Sequence, residues 1–341
     1  MKKVTIQDIA DELNISRNTV SKAINNAEGI AEATRLKILQ KAAEMGYKQF
    51  SYLKISSDSN EAQQKREGGE VALLFGDVIA PTHFASLMLD KLKMELSQIG
   101  YTLNMHRVEQ DNYLHHSLPV TFSAAHTSAI ICIEMFNRAY DEMICSLGLP
   151  VLFVDGPNKR DGHDLPADQL YMDNTTAITR FVNDMLAKGK HRIGFIGDYE
   201  HCQSFFERYT AFRCAMLMAG APVEERFCIK ANQSEQITAA LTGLPDFPEV
   251  FICANDFVAD DAIYTLRKLG KSIPKDILFC GFDDSPNSRI MTPSLTTVHI
   301  HTQSMAIAAM HLLLSRLDNP NLNYRIMHTE TELIYRDSTQ L

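Results

Sequence analysis

Four side chains near the N-terminus have the types and spacing to read a polyanion. Arg17, Asn18, Ser21 and Lys22 stand at i, i+1, i+4 and i+5, with apolar Val20 and Ile24 between and after them. On a helix that spacing puts the four on the face opposite the two aliphatics. Arginine bonds guanine through two donors, asparagine does the same to adenine, and lysine suits guanine or a phosphate. Thr5, Ser16, Thr19 and Asn25 are short hydroxyl and amide groups at the ends of the same segments, where phosphates collect. The same face would also serve as the solvated side of any small helical bundle, and periodicity alone leaves both readings open.

A second set lies further along. Asp77, Asp155, Asn255-Asp256 and Asp283 each follow a short apolar run, and Arg208 begins a helical stretch after another. Carboxylates and amides converging beyond strand ends exchange hydrogen bonds with a hydroxyl-rich ligand. Phe84 offers an apolar face to a sugar ring or base. Any one of these carboxylates or amides would also act as a loop or helix cap.

The elements that must position the first set are three short helices in residues 1–48. Thr5-Ile6-Gln7-Asp8 has the form of a capping box, and Asn14-Ile15 breaks the helix. Ser16 caps the second helix, and a third is expected from Glu32 to Met45, with Ile38, Leu39 and Ala42 inward and Gly46 as its C-cap. Two helices joined by so short a turn form a helix-turn-helix. Residues 49–69 are polar and end in Gly68-Gly69, a linker composition. From Val71 onward apolar strands alternate with helices. Strands are expected at 71–75, 101–105, 129–133, 151–154, 193–196, 250–253 and 277–280. Helices are expected at 84–99, 175–188, 208–219, 257–269 and 303–317. Such alternation predicts parallel sheets covered by helices, and its length predicts two lobes.

Several chemistries are excluded by what is missing. There is no phosphate-binding loop and no G-x-S-x-G, and Gly194-Phe195-Ile196-Gly197 lacks the third glycine of a dinucleotide fingerprint. His115-His116 and His299-X-His301 have no acidic or cysteine partner at a diagnostic spacing, so no metal ligand is assigned. No catalytic residue and no cofactor are expected. The seven cysteines form no C-x-x-C pair and read as reduced core residues. No apolar run reaches the roughly 18–20 residues that cross a bilayer, and charge follows Met1-Lys2-Lys3 where a leader would be apolar. A cytoplasmic protein is expected. In 341 residues the net charge is −9, yet residues 1–54 carry nine basic and six acidic groups, a basic head on an acidic body.

Val4-Thr5-Ile6-Gln7-Asp8-Ile9-Ala10, Val20-Ser21-Lys22-Ala23-Ile24-Asn25, Thr34-Arg35 and Met45-Gly46-Tyr47 together resemble the head of the lactose-repressor (LacI/GalR) family of bacterial transcription regulators. In that family the positions matching Arg17, Asn18 and Lys22 read bases. The resemblance continues through Met172-Asp173-Asn174, Arg192–Gly197, Cys253-Ala254-Asn255-Asp256, Ile273-Pro274-Lys275-Asp276, Gly281-Phe282-Asp283-Asp284, Pro293–Val298 and Leu333–Thr339. It implies an all-α helix-turn-helix head plus an α/β core of two Rossmann-like lobes, similar to periplasmic binding proteins. The positions matching Asp155, Arg208, Asn255 and Asp283 would line the effector pocket. The implied domains are the head at 1–48, a hinge at 49–69 and an effector-binding and dimerisation core at 70–341. Lobe 1 would take about 70–160 and 286–318, and lobe 2 about 161–285 and 319–337. The implied function is a repressor acting as a homodimer on a pseudo-palindromic operator in double-stranded DNA. A small polar metabolite, a sugar by preference, would control it, with no membrane partner. The alternative is a solute-binding protein without a DNA role.

Three departures matter. The family's hinge continues with Pro-Asn and a short helix carrying a leucine that wedges into the minor groove. Here residues 48–56 read Lys-Gln-Phe-Ser-Tyr-Leu-Lys-Ile-Ser, without the Pro-Asn or the leucine register, leaving Leu53 or Ile55 as substitute wedges. The Asn-Pro-Phe-Phe stretch after the first core strand is Ile79–Ala85, and Asp260-Asp261 replaces small or apolar residues.

Overall fold

The computed structural model describes residues 4–24, 30–31, 34–35, 37–38, 41–42, 45, 68–76, 84–159 and 162–340, and of Phe84 the backbone alone. The chain divides into two units, 1–67 and 68–341.

In the first unit α1 spans Ile6–Leu13 and α2 spans Arg17–Ile24. Thr5 starts α1 with the expected reciprocal cap, its N–H donating to Asp8 Oδ2 at 2.7 Å and its hydroxyl accepting from the Asp8 N–H at 3.2 Å. Asn14 ends α1 in the left-handed region at φ 58°, a conformation asparagine tolerates better than most residues. Ser16 then accepts from the Thr19 N–H at 3.0 Å and starts α2. Ile9, Ala10, Val20, Ala23, Ile38 and Ala42 form the buried cluster. The expected third helix lies only partly within the described residues; Leu39, Gly46 and the hinge at 49–56 lie outside them.

The second unit opens with β1 (Glu70–Phe75), α3 (Phe84–Gln98), β2 (Thr102–Arg107), α4 (Gln110–His115), β3 (Thr127–Ile133), α5 (Arg138–Cys145), β4 (Val151–Val154) and β5 (Asp168–Met172). It continues through α6 (Thr176–Ala187), β6 (Ile193–Ile196), α7 (Gln203–Met218), β7 (Cys228–Ile229), α8 (Ser234–Thr242), β8 (Val250–Cys253), α9 (Asp256–Lys268) and β9 (Leu278–Cys280). It closes with α10 (Pro286–Ile290), β10 (Thr297–Ile300), α11 (Thr302–Asp318), β11 (Ile326–Thr329) and β12 (Thr331–Ile334).

Two parallel sheets result, ordered β11-β5-β4-β3-β1-β2 and β7-β6-β8-β9, with β10 and β12 paired antiparallel beside them. Helices cover both faces, which is why the strands read as continuous apolar runs. In β1, Val71 and Leu73 pack with Met88 and Leu92 of α3, while Ala72 and Leu74 pack with Tyr140 and Ile144 of α5. In the second sheet Phe195 and Ile252 face Phe181 and Phe212, and Ile196 and Phe251 face Ile237 and Ala262.

The lobe boundaries differ from those expected. Asp168–Met172 and Ile326–Thr329 belong to the first sheet, not to lobe 2. Residues 286–300 go with the second, since Thr296 bridges Cys280 and Leu295 is buried with Phe251 and Phe279. The cause is a buried ion cluster. Asp168, the first residue of β5, accepts from Arg316 Nε at 2.9 Å and from the Arg325 N–H at 2.8 Å. It thereby fixes β5 to α11 and to the entry of β11. An Asp-Gln start disguises a strand buried along its whole length. The chain thus passes between lobes at 173–175, at 301 and at 330.

Candidate DNA-contacting face and effector cleft

In α2 the inward residues are Val20 and Ala23, with Ile24 half-buried, and Arg17, Asn18 and Lys22 are exposed. Thr19 is half-buried, with its hydroxyl 2.8 Å from that of Ser16. Ser21 is half-buried and Thr5 exposed. Arg17, Asn18 and Lys22 therefore leave one side of α2, while capping occupies Thr5 at α1 and Ser16 at α2. Asn25 lies outside the described residues.

In the core, the parallel strands end at polar residues. Asp155 follows β4 at φ 51°, and Asp283 follows β9 at φ 109°, both left-handed conformations uncommon for a non-glycine residue. Arg208 lies between them, buried in α7. Its Nε donates to Asn174 Oδ1 at 2.9 Å, and its Nη1 donates to the Ala254 carbonyl at 2.6 Å. Nη1 also lies 3.8 Å from Asp283 Oδ1, and the guanidinium sits 3.5 Å from the Phe282 ring centroid. Asp155 accepts from the Ser204 hydroxyl at 2.8 Å. Asn174 and Ser204 are themselves joined at 3.2 Å, which closes a buried network across the lobe junction.

The charges are strained by burial. Burial pushes Asp155 up to about 6 against the opposing pull of Arg208 and the Ser204 hydroxyl. Asp283 is pushed up to about 8, again by burial, with Arg208 opposing and the carboxylates of Asp256 and Asp155 adding to the rise. A protonated carboxyl at Asp283 can donate as well as accept a hydrogen bond, which suits vicinal hydroxyls.

Of the six residues expected at the pocket, the structure gathers Asp155, Arg208 and Asp283. Asn255 follows Ala254 at the same strand end, and its Oδ1 caps α9 by accepting from the Val258 N–H at 2.9 Å. Asp77 and the Phe84 side chain lie outside the described residues. Arg208 does not open its helix as expected. The helix starts at Gln203, so Ser204 and Phe205 face the site one turn earlier than the sequence indicated. Asn174, Ser204 and Phe282 were not singled out by residue type. Asn174 follows the strand hidden behind Asp168, and Phe282 looks like an ordinary core aromatic.

An open cavity of about 480 Å³ lies at the ends of β1, β2 and β3, lined by Gly76, Arg107, Glu109, Tyr113, Glu134, Phe136 and Asn137 among others. The Glu134 N–H donates to the Val154 carbonyl at 3.1 Å, which sets the cavity beside Asp155. Phe136 meets His201 edge-on at 4.8 Å, and His201 lies 5.6 Å from Phe205.

Among the described residues no helix is long and apolar enough to cross a membrane, and no group of three or more metal-ligating side chains gathers.

Comparison with known proteins agrees with this arrangement. Residues 5–49 match the bacterial regulatory proteins of the lacI family, and residues 182–339 match a periplasmic binding protein-like domain. The chain is 25% identical over 343 residues to the probable HTH-type transcriptional repressor ExuR of Bacillus subtilis, covering 99% of this chain and 98% of that one. It is 27% identical to the HTH-type transcriptional regulator RegA of Clostridium saccharobutylicum, covering 98% and 99%. Among solved structures, a CelR–cellobiose complex matches with TM-score 0.68 and 19% identity over 98% of this chain and all of that one. The lac repressor dimer bound to operator and the anti-inducer ONPF matches with TM-score 0.65 and 18% identity over the full length of both chains. A lacI-family helix-turn-helix domain ahead of a periplasmic binding protein-like domain, in a chain matched along its whole length by repressors and regulators, marks this protein as a DNA-binding transcriptional regulator.

Proposed function

We propose that the protein is a repressor whose operator binding is controlled by a small sugar or sugar derivative held between the core lobes. The observation that carries the reading is Arg208, buried and fixed between Asn174, the Ala254 carbonyl and the Phe282 ring, with Asp155 and Asp283 at the strand ends beside it. A buried cation flanked by two carboxyl groups of raised pKa recognises hydroxyls through several directional bonds at once. Similar structures support the ligand class: the CelR neighbour holds cellobiose, and LacI-type neighbours hold D-xylulofuranose and ribose.

On the DNA side, Arg17, Asn18 and Lys22 are the base-reading residues, and Thr5, Ser16, Thr19, Ser21 and Asn25 are placed at the phosphates. A head with so few base contacts binds weakly alone, so the acting species is a homodimer on a pseudo-palindromic operator. It works in the cytoplasm, where the DNA is. A solute-binding protein without a DNA role would have no use for the head. No catalytic role is assigned.

The test is a selection of duplexes by the full-length chain, followed by fluorescence anisotropy on the selected operator with a panel of sugars. A palindromic consensus whose affinity shifts with one sugar supports the reading. Binding without sequence preference, or indifference to every sugar, overturns it.

A further inference from the structure

We propose that Glu207 is a positioning residue for Arg208: it holds the Asn174 amide in the one orientation that turns its carbonyl to the arginine, and it is itself held from both lobes. The inference deepens the proposed function and rests on its placing of Arg208 at the effector.

Glu207 lies on α7 directly before Arg208, and Asn174 links the two side chains. Asn174 is fully buried, between the end of β5 and the start of α6. Its Oδ1 accepts from Arg208 Nε at 2.9 Å. Its Nδ2 donates to Glu207 Oε2 at 2.8 Å and to the Ser204 hydroxyl oxygen at 3.2 Å. A guanidinium only donates, and an ionised carboxylate only accepts. Between them they leave the amide a single orientation. Turned over, it would set its NH2 against the arginine N–H and its carbonyl against the carboxylate. Ser204 imposes no such choice, because a hydroxyl both donates and accepts. The bond to the carboxylate is also the shorter of the two, as a charge-assisted hydrogen bond should be.

The orientation holds only while Glu207 is ionised. Burial alone would raise its carboxyl, but the pull of His328, Gln203 and Asn174 outweighs that and keeps it below the usual range.

The groups around this carboxylate come from both lobes. Gln203, one turn earlier on α7, donates from Nε2 to Glu207 Oε1 at 3.0 Å. Gln203 is anchored in turn to the segment after β4: its Oε1 accepts from the Lys159 N–H at 3.0 Å, and its own N–H donates to the Gly156 carbonyl at 3.2 Å. His328 Nε2, on β11, lies 3.8 Å from Glu207 Oε1. Its ring is stacked on Tyr171 of β5, with centroids 5.5 Å apart and planes 26° from parallel. The first lobe thus sets the carboxylate, the carboxylate sets the amide, and the amide aims the arginine of the second lobe. A movement of one lobe against the other reaches Arg208 along this line.

Nuclear magnetic resonance of the full-length protein, labelled with 15N-arginine and free of sugar, tests this. The Arg208 Nε–H signal is the one absent in Arg208→Lys, and its exchange with solvent reports how firmly Asn174 holds it. In Glu207→Ala that exchange should quicken by about tenfold or more. In Glu207→Gln, whose carbonyl still accepts from Asn174, it should stay within about threefold of wild type. The Gln203→Ala/His328→Ala double variant keeps Glu207 but frees it from the first lobe, and should fall between the two. Thermal unfolding of each variant, measured alongside, separates local release from loss of the fold. A wild-type exchange rate in Glu207→Ala, or equal rates in the alanine and glutamine variants, overturns the orienting role. A wild-type rate in the double variant overturns the hold from the first lobe, and that variant decides even where Glu207→Ala does not fold. Because no sugar is present, failure here leaves the sugar reading standing, and failure of the sugar reading leaves the link from Glu207 to Arg208 standing.

Discussion

The Arg208 guanidinium lies 3.5 Å from the centre of the Phe282 ring, inside the junction of the two lobes. Arg208 belongs to α7, and Phe282 comes directly before Asp283 on the segment leaving β9. The stack holds the cation flat, so that its edge reaches Asn174 and the Ala254 carbonyl while Asp283 stays 3.8 Å away. Desolvation strengthens such a contact. The lysine ammonium has neither the planar shape nor the fork of donors.

The first prediction follows from that geometry. Asp283→Ala should abolish the change in operator affinity on adding effector, while operator binding without effector persists. Anisotropy titrations with and without the sugar check it. A variant that still responds at the same sugar concentration removes Asp283 from the site.

Base reading gives the second. Arg17→Ala should weaken operator binding by about 1–3 kcal/mol and relax one base position. Binding to single-base operator variants shows whether discrimination is lost. Equal losses on operator and random duplex would make Arg17 a phosphate contact instead.

The third concerns a buried carboxyl outside the cleft. Asp141 of α5 is fully buried, and neither oxygen has a hydrogen-bond partner. Burial pushes its pKa up to about 8; Arg138 opposes the rise and Glu142 adds to it. The folded protein thus keeps a proton that the unfolded chain releases near pH 4. Its contribution to stability is therefore greatest in acid and falls as pH rises towards 8. Asp141→Asn should flatten that fall, and at pH 9 should raise stability by roughly 1–3 kcal/mol, because the amide keeps the shape of the carboxyl but carries no charge to bury. Denaturant unfolding at pH 5 and pH 9 is the measurement. An equal effect at both pH values would refute the assignment.

Asp168 gives the opposite sign. Burial alone would raise its carboxyl, but hydrogen bonds from Arg316 and Arg325 outweigh that and hold it below the usual range. The stability it supplies is present above pH ~4 and is lost as pH falls below that. Arg316→Ala leaves a buried carboxylate without its main partner and should cost about 3–5 kcal/mol. Urea midpoints at neutral pH decide it; a shift worth less than ~1 kcal/mol would show that Arg325 alone suffices.

A fifth prediction concerns the hinge, which lies outside the described residues and is argued from sequence alone. With the Pro-Asn entry and the leucine register both missing, Leu53→Ala combined with Ile55→Ala should change operator affinity by no more than about 0.5 kcal/mol. A loss of about 2 kcal/mol or more, confined to the specific operator, would show an apolar wedge in altered form.

The sequence by itself determined the head's first two helices and the α/β class of the core. The reason is that both signals are local. Thr5 with Asp8, Asn14, and Ser16 with Thr19 fix helix ends through bonds spanning three or four residues. Runs such as 151–154, 193–196 and 250–253 announce strands covered on both faces. It also marked Asp155 and Asp283, since polar residues just past such runs stand where open sheets bind ligands, whereas Arg208 was marked as a helix start that the structure moves to Gln203. The tertiary structure alone decided where one lobe ends and the other begins. That boundary depends on Asp168 finding Arg316 and Arg325, some 150 residues away, which turns a polar-looking stretch into a central strand. It also decided that Asn174 and Phe282 hold the arginine while Ser204 holds Asp155. Those roles arise between segments far apart in the chain, and no local pattern encodes such a meeting.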